Sequence, residues 1–191
     1  MPRIRAIHGA ESTAESQATT EDVSYPTTLS QVVLKQDRFY RHNLTRINYT
    51  TYDVRRAQDV INPNTEHRDI MMLSGSSHPF CYARVIGIFH ANVIYTGPGL
   101  LDYQPRRLEF LWVRWFELIE QPSDGRDLAL DALRFVPMME DEAFGFVDPA
   151  DVIRSCHLIP AFAMGRLHPD GVAMSRCAQD GADWKKYYVN R

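Results

Sequence analysis

The sequence predicts a mainly β domain, on three observations. Two mid-chain runs, FCYARVIGIFHANVIY (Phe80 to Tyr95) and RRLEFLWVRWFEL (Arg106 to Leu118), are dense in β-branched and aromatic residues. Such side chains pack well on a pleated surface. The link between them, TGPGLLDYQP, is rich in turn formers, so the pair reads as a central hairpin. Elsewhere, short apolar runs alternate with turn signals, and few stretches carry a helical period. A small, strongly bent β-barrel with short helical turns fits these features better than a two-sheet sandwich. Long central strands with glycine bends suit a closed or nearly closed sheet.

Taken in order, residues 1 to 30 hold Glu, Ser, Thr and Ala and few large apolar side chains, which predicts a disordered tail or linker. Residues 31 to 191 are expected to form a single mainly-β domain. Gln31 to Phe39 reads as a short strand or an interfacial segment, Leu44 to Val60 as strand, Asn62-Pro63-Asn64 as a turn, and Arg68 to Leu73 as a further short strand. In the long run from Phe80, both faces are partly apolar, which predicts a central or bent strand with Gly87 as its bulge or bend. In the partner run, period two groups Leu111, Val113 and Trp115 as core residues. Phe110, Trp112, Arg114 and Phe116 take the other face. LALDALRF, ahead of Val136, reads as one or two helical turns. Asp148-Pro149 with Ala150-Asp151 reads as a helix start, with Pro at an early position, or as a tight turn. Asp151 to Phe162 is expected to turn into a strand, Met164 to Asp183 to be loop, and Trp184 to Val189 to be strand. That apolar strand so near the last residue suggests a fragment of a longer protein, or a final strand closing the sheet.

Composition narrows the function classes. A chain of 191 residues with 45% hydrophobic content can build one ordinary core. The net charge of −3 gives no global attraction to nucleic acid or anionic lipid. Arg55-Arg56 and Arg106-Arg107 remain as local candidates for phosphate contact. Cys81, Cys156 and Cys177 make no even disulfide framework, and no apolar run is long enough for a membrane span. With no continuous apolar stretch near Met1, a nuclear or cytoplasmic location is expected rather than secretion.

Few residues suggest chemistry. Cys156, His157, His168 and Cys177 are zinc-type ligands, but they lack a C-x-x-C pair, and neighbouring Cys156 and His157 would point to opposite faces of a strand. Glu140, Asp141, Glu142, Asp148 and Asp151 form an acidic stretch without the spacing of a calcium loop. No G-x-S-x-G, protease-type cysteine motif or Gly-rich phosphate loop is present, so no catalytic residue is assigned. An aromatic recognition surface is the remaining candidate. Tyr82, Tyr95, Phe110, Trp112 and Arg114 crowd the central hairpin, and rings on a β platform can cage a methylated ammonium or stack a base.

The strings HNLTRINYTTYDVRRAQDVINPNTEHRDIMML, HPFCYARVIGIFHANVIYTGPGLLDYQPRRLEFLWVRWFEL, AFGFVDPADVIRSCHLIPAF and DWKKYYVNR resemble a family of uncharacterised proteins of mushroom-forming fungi. Members often lie at the C-terminal end of long transposon-associated reading frames. The resemblance covers roughly residues 40 to 191, and its motifs name no chemistry. It implies a transposon-derived protein and, since members tend to continue past the VNR string, a fragment of one. The order Tyr82-Ala-Arg-Val-Ile-Gly-Ile88, Val113-Arg-Trp-Phe116 and Trp184-Lys-Lys-Tyr187 is similar to the C-terminal domain of plant CACTA-type transposon proteins and to the bromo-adjacent homology barrel of chromatin proteins. That similarity implies a barrel fold but transfers no residue role. The expectation is a non-enzymatic interaction module with a protein, chromatin or nucleic-acid partner and no cofactor. The alternatives are a metal-dependent, nuclease-type enzyme part using the acidic stretch with His157, and a purely structural accessory region.

Overall fold

A computed structural model describes residues 31–50, 56–99, 102–119 and 130–190. The expected tail, residues 1 to 30, lies outside them. The strands are β1 (Val32–His42), β2 (Thr45–Thr50), β3 (Arg56–Ile61), β4 (Asp69–Leu73), β5 (Phe80–Tyr95), β6 (Arg106–Leu118), β7 (Ala132–Phe135), β8 (Phe144–Val147), β9 (Val152–Ser155), β10 (His157–Pro160) and β11 (Tyr187–Asn190). The protein is mainly β, and among the described residues the helical elements are short 3₁₀ turns. The described residues form a nine-stranded antiparallel sheet in the order β10-β11-β7-β6-β5-β4-β9, with β1 added to β5, β8 added to β6, and β2-β3 as a separate hairpin. The ladders do not return on themselves: β9 and β10 are both outer strands, so the sheet is open rather than a closed barrel.

The length of β5 and β6 follows from what they must join. β6 runs along one edge of β5, while the other edge of β5 pairs first with β4 at Phe80 to Arg84 and then with β1 at Ile88 to Tyr95. Between those partners lies a bulge: Val85 faces Val113 and Gly87 faces Trp112, leaving Ile86 as the additional residue. A bulge shifts the alternation by one position. Ala83 and Val85 therefore share their face with Ile88 rather than with Phe89, and all three enter one core cluster with Leu111, Val113 and Trp115. The β2-β3 hairpin covers this cluster with Ile47 and Ile61. A second cluster on the reverse face joins Met71, Tyr82 and Phe116 to Leu133, Phe135, Tyr187 and Val189. The sheet is thus packed on both faces, as the apolar character of both faces of the Phe80 run requires.

Several local expectations stand and one is corrected. Asp148 Oδ1 accepts from the Ala150 backbone N–H at 2.8 Å, capping a 3₁₀ turn with Pro149 at its first position. The segment before Val136 is not helical where it is described: Ala132–Phe135 is β7. Its residues pair with β6 and β11, and Phe135 stacks on Phe116 with centroids 4.1 Å apart. These long-range contacts override a weak local helical preference.

Candidate interaction site

The even-numbered face of β6 carries Leu108, Phe110, Trp112, Arg114 and Phe116, and its two ends meet different fates. The Arg114–Phe116 end is covered by β7 and β11. Arg84 and Arg114 are direct cross-strand partners, a like-charge pairing that is costly unless compensated. Compensation comes from far along the chain. Asp69 takes Arg84 through two hydrogen bonds of 2.7 and 3.1 Å, while Asp183 accepts from Arg84 at 2.9 Å and from Arg114 at 2.6 Å. The guanidiniums also lie over rings, Arg114 at 3.8 Å and Arg84 at 4.9 Å from the Phe135 centroid. Burial pulls the Arg84 guanidinium down, but Asp69, Tyr187 and Asp183 more than reverse this and hold it above its ordinary value. Arg114 Nε is buried without a hydrogen-bond partner.

The Leu108–Trp112 end is open. Here the bulge turns Phe89 onto the same face, opposite Phe110, and β8 brings Phe146 opposite Trp112. β1 brings Phe39 opposite Ala91, beyond an irregularity in which Gln36 and Asp37 adopt positive φ. Phe39, Phe89, Leu108, Phe110, Trp112 and Phe146 line a groove of about 430 Å³. Phe110 is its hub: it stacks on Phe89 at 5.6 Å and meets Phe39 and Phe146 edge-on at 5.8 and 5.6 Å. Phe39 is 58% exposed and Phe146 52%. Adjacent apolar rings left open to water mark an interaction surface more often than chance exposure does.

Of the residues singled out from sequence, the structure brings Phe110 and Trp112 into this groove. Tyr82 and Arg114 are corrections: both are buried, Tyr82 donating to Asp131 at 2.7 Å and Arg114 bound to Asp183, so neither reaches a surface partner. Tyr95 is exposed at the far end of β5, its hydroxyl 3.3 Å from both Gln31 Oε1 and the Pro98 carbonyl, and does not line the groove. Arg55 lies outside the described residues and Arg56 starts β3. Arg106 and Arg107 are exposed, with Asp102 3.9 Å from Arg106 and Glu109 2.8 Å from Arg107. Sequence reading missed Phe39, Phe89, Leu108 and Phe146. Leu108 was accessible through its period-two relation to Phe110, whereas Phe89 emerges only once the bulge is known.

The possible metal ligands sit in unlike settings. Cys156 is buried and its thiol pushed up by burial and then by Asp69, which disfavours the thiolate a metal needs. His157 and Cys177 are exposed, and His168 lies 3.0 Å from Asp180. Glu140, Asp141, Glu142 and Asp151 are exposed, and Asp148 is occupied as a cap. Among the described residues no three His, Cys, Asp or Glu side chains are grouped to hold a metal ion. No helix among them is long and apolar enough to cross a membrane. Comparison with protein-family models, with curated proteins and with solved structures returns no match.

Proposed function

We propose that this chain is a non-enzymatic interaction module that docks a partner in the aromatic groove between β1 and β8. The observation that carries this reading is the composition of the groove: six apolar side chains, with no acid, base or nucleophile among them. Such a lining binds by burial and shape rather than by proton or group transfer. The likeness to transposon-associated fungal proteins supports a module carried by a transposon-derived protein, with a nuclear or cytoplasmic place of action. The likeness to the bromo-adjacent homology barrel, together with the bulged central strands, supports a bent, barrel-related arrangement.

A peptide-display selection against the full chain tests the reading. Selected peptides should lose at least tenfold in affinity for Phe146→Ser. They should bind Val60→Ser, which alters an equally exposed apolar residue on β3, as they bind the parent chain. Equal binding to all three proteins would place the contact elsewhere and overturn the proposal.

A further inference from the structure

The charges on the groove's own face say which kind of partner it takes. In antiparallel ladders, directly paired residues project to the same face. Arg41 pairs with Phe89, which pairs with Phe110, so Arg41 flanks the groove on the β1 side. Arg106 pairs with Val93, two positions beyond the Leu108–Ala91 pair, and so flanks it at the start of β6. Arg107 belongs to the reverse face with Glu109, which occupies it at 2.8 Å. On the groove face, the paired positions of β1, β5, β6 and β8 hold no Asp or Glu. Arg41 is exposed and has no carboxylate partner among the described residues, and Arg106 has only the half-exposed Asp102 at 3.9 Å.

We infer that the groove takes an acidic segment of a partner protein, with apolar anchors seated among Phe39, Phe89 and Phe110 and carboxylates placed against Arg41 and Arg106. This rests on the groove being the docking site. The same charges disfavour a cationic tail, since two guanidiniums would repel a lysine-rich or methylated-ammonium segment. The ring packing favours a protein segment over a nucleic-acid strand. Phe110 is stacked on Phe89 and met edge-on by Phe39 and Phe146, whereas a strand of bases needs free ring faces on which to stack.

The test uses the full chain and two fluorescein-labelled heptapeptides of alternating Leu/Phe and charged residues, one with Asp and one with Lys at the charged positions. Fluorescence polarisation is read at low and at physiological salt. The Asp peptide should bind at least about tenfold tighter than the Lys peptide, with the gap narrowing as salt rises. The double variant Arg41→Glu/Arg106→Glu, altered only at exposed residues, should reverse the order. Phe146→Ser should weaken both peptides. Equal or inverted preference in the parent chain, with Phe146→Ser still weakening binding, overturns the acidic partner and leaves the groove reading standing. No binding of either peptide, or binding that ignores Phe146→Ser, overturns both. Tighter binding of a 20-nucleotide oligo-dT competing at the groove, or a dimer in sedimentation that Phe146→Ser dissociates, also overturns the acidic-segment inference.

Discussion

Asp183→Asn should be among the most damaging single substitutions in the described fold, and its cost follows from the geometry of the buried pair. Asp183 is 2% exposed and, among the described residues, is the one carboxylate within ion-pair distance of Arg114; Arg84 retains Asp69 when Asp183 is neutralised. The amide would also turn a donor toward one of two guanidinium donors. Removing one partner of a buried ion pair costs about 3–5 kcal/mol. Arg114→Met is a milder change. Asp183 keeps Arg84 at 2.9 Å, and the unpartnered Arg114 Nε disappears. The lost cation–π contact with Phe135 is partly replaced by a sulfur–aromatic one, for a cost of about 1–2 kcal/mol. The double variant should then lie well below the sum of the singles, a coupling of about 2 kcal/mol. Urea unfolding followed by circular dichroism supplies all three values, provided the slopes agree. If Arg114→Met costs as much as Asp183→Asn, or if Asp183→Asn costs under 1 kcal/mol, the assignment of Asp183 as the shared counter-ion is wrong.

Two other substitutions probe the packing and the pH response. An alanine Cβ at Gly145 would sit 2.5 Å from Nε1 of the buried Trp115, so Gly145→Ala should cost about 1–3 kcal/mol in urea unfolding. Gly75→Ala, where no atom lies within 4 Å of the added carbon, should stay within about 0.5 kcal/mol of the parent. Burial alone would push the Asp180 carboxyl up, but backbone N–H groups of Ser175 and Met174, with His168 nearby, overcome that and hold it below its ordinary value. A depressed native value contributes stability that is present above the unfolded carboxylate value, about 3.9, and is lost as pH falls through the native one. Asp180→Asn should therefore be less stable than the parent at pH 7, and the gap should narrow below about pH 4; a constant gap from pH 7 to pH 2 would refute the linkage.

The strands were legible wherever local pattern decides them. Density of Val, Ile, Phe and Trp marks β5 and β6, and period two on β6 separates Leu111, Val113 and Trp115 from the opposite face with no error. Gly87 is foreseeable as a bulge site because a strand glycine leaves room there. What the pattern cannot say is what covers a face. Arg114 and Trp112 share one side of β6, yet one is buried and the other half-open, because Asp183 and Phe135 arrive over Arg114, whereas among the described residues Trp112 meets Phe144 at a tilt with ring centroids 6.1 Å apart. The two partners of Arg114 lie 69 and 21 positions away, beyond the reach of any periodicity. Tyr82 fails as a surface residue for the same reason: its partner Asp131 is 49 positions distant.

The closed and the open ends of this face are mechanically linked through β6. At one end, two guanidiniums, two carboxylates and the Phe116, Phe135 and Tyr187 rings fix the strand with directional contacts. At the other, Gly145 lies opposite Val113 and so close to Trp115 that no side chain fits, which lets β8 carry Phe146 up against Phe110. The groove floor is therefore preformed, since Phe110 and Trp112 sit on a strand whose next residues cannot shift without separating buried charges. A preformed apolar surface spares a partner the ordering cost that a flexible one would impose. Phe39 on the bulged β1 and Phe146 on β8 belong to strands paired on one side only among the described residues. That makes β1 and β8 the walls able to adjust to different anchors while the β5 and β6 rings stay fixed.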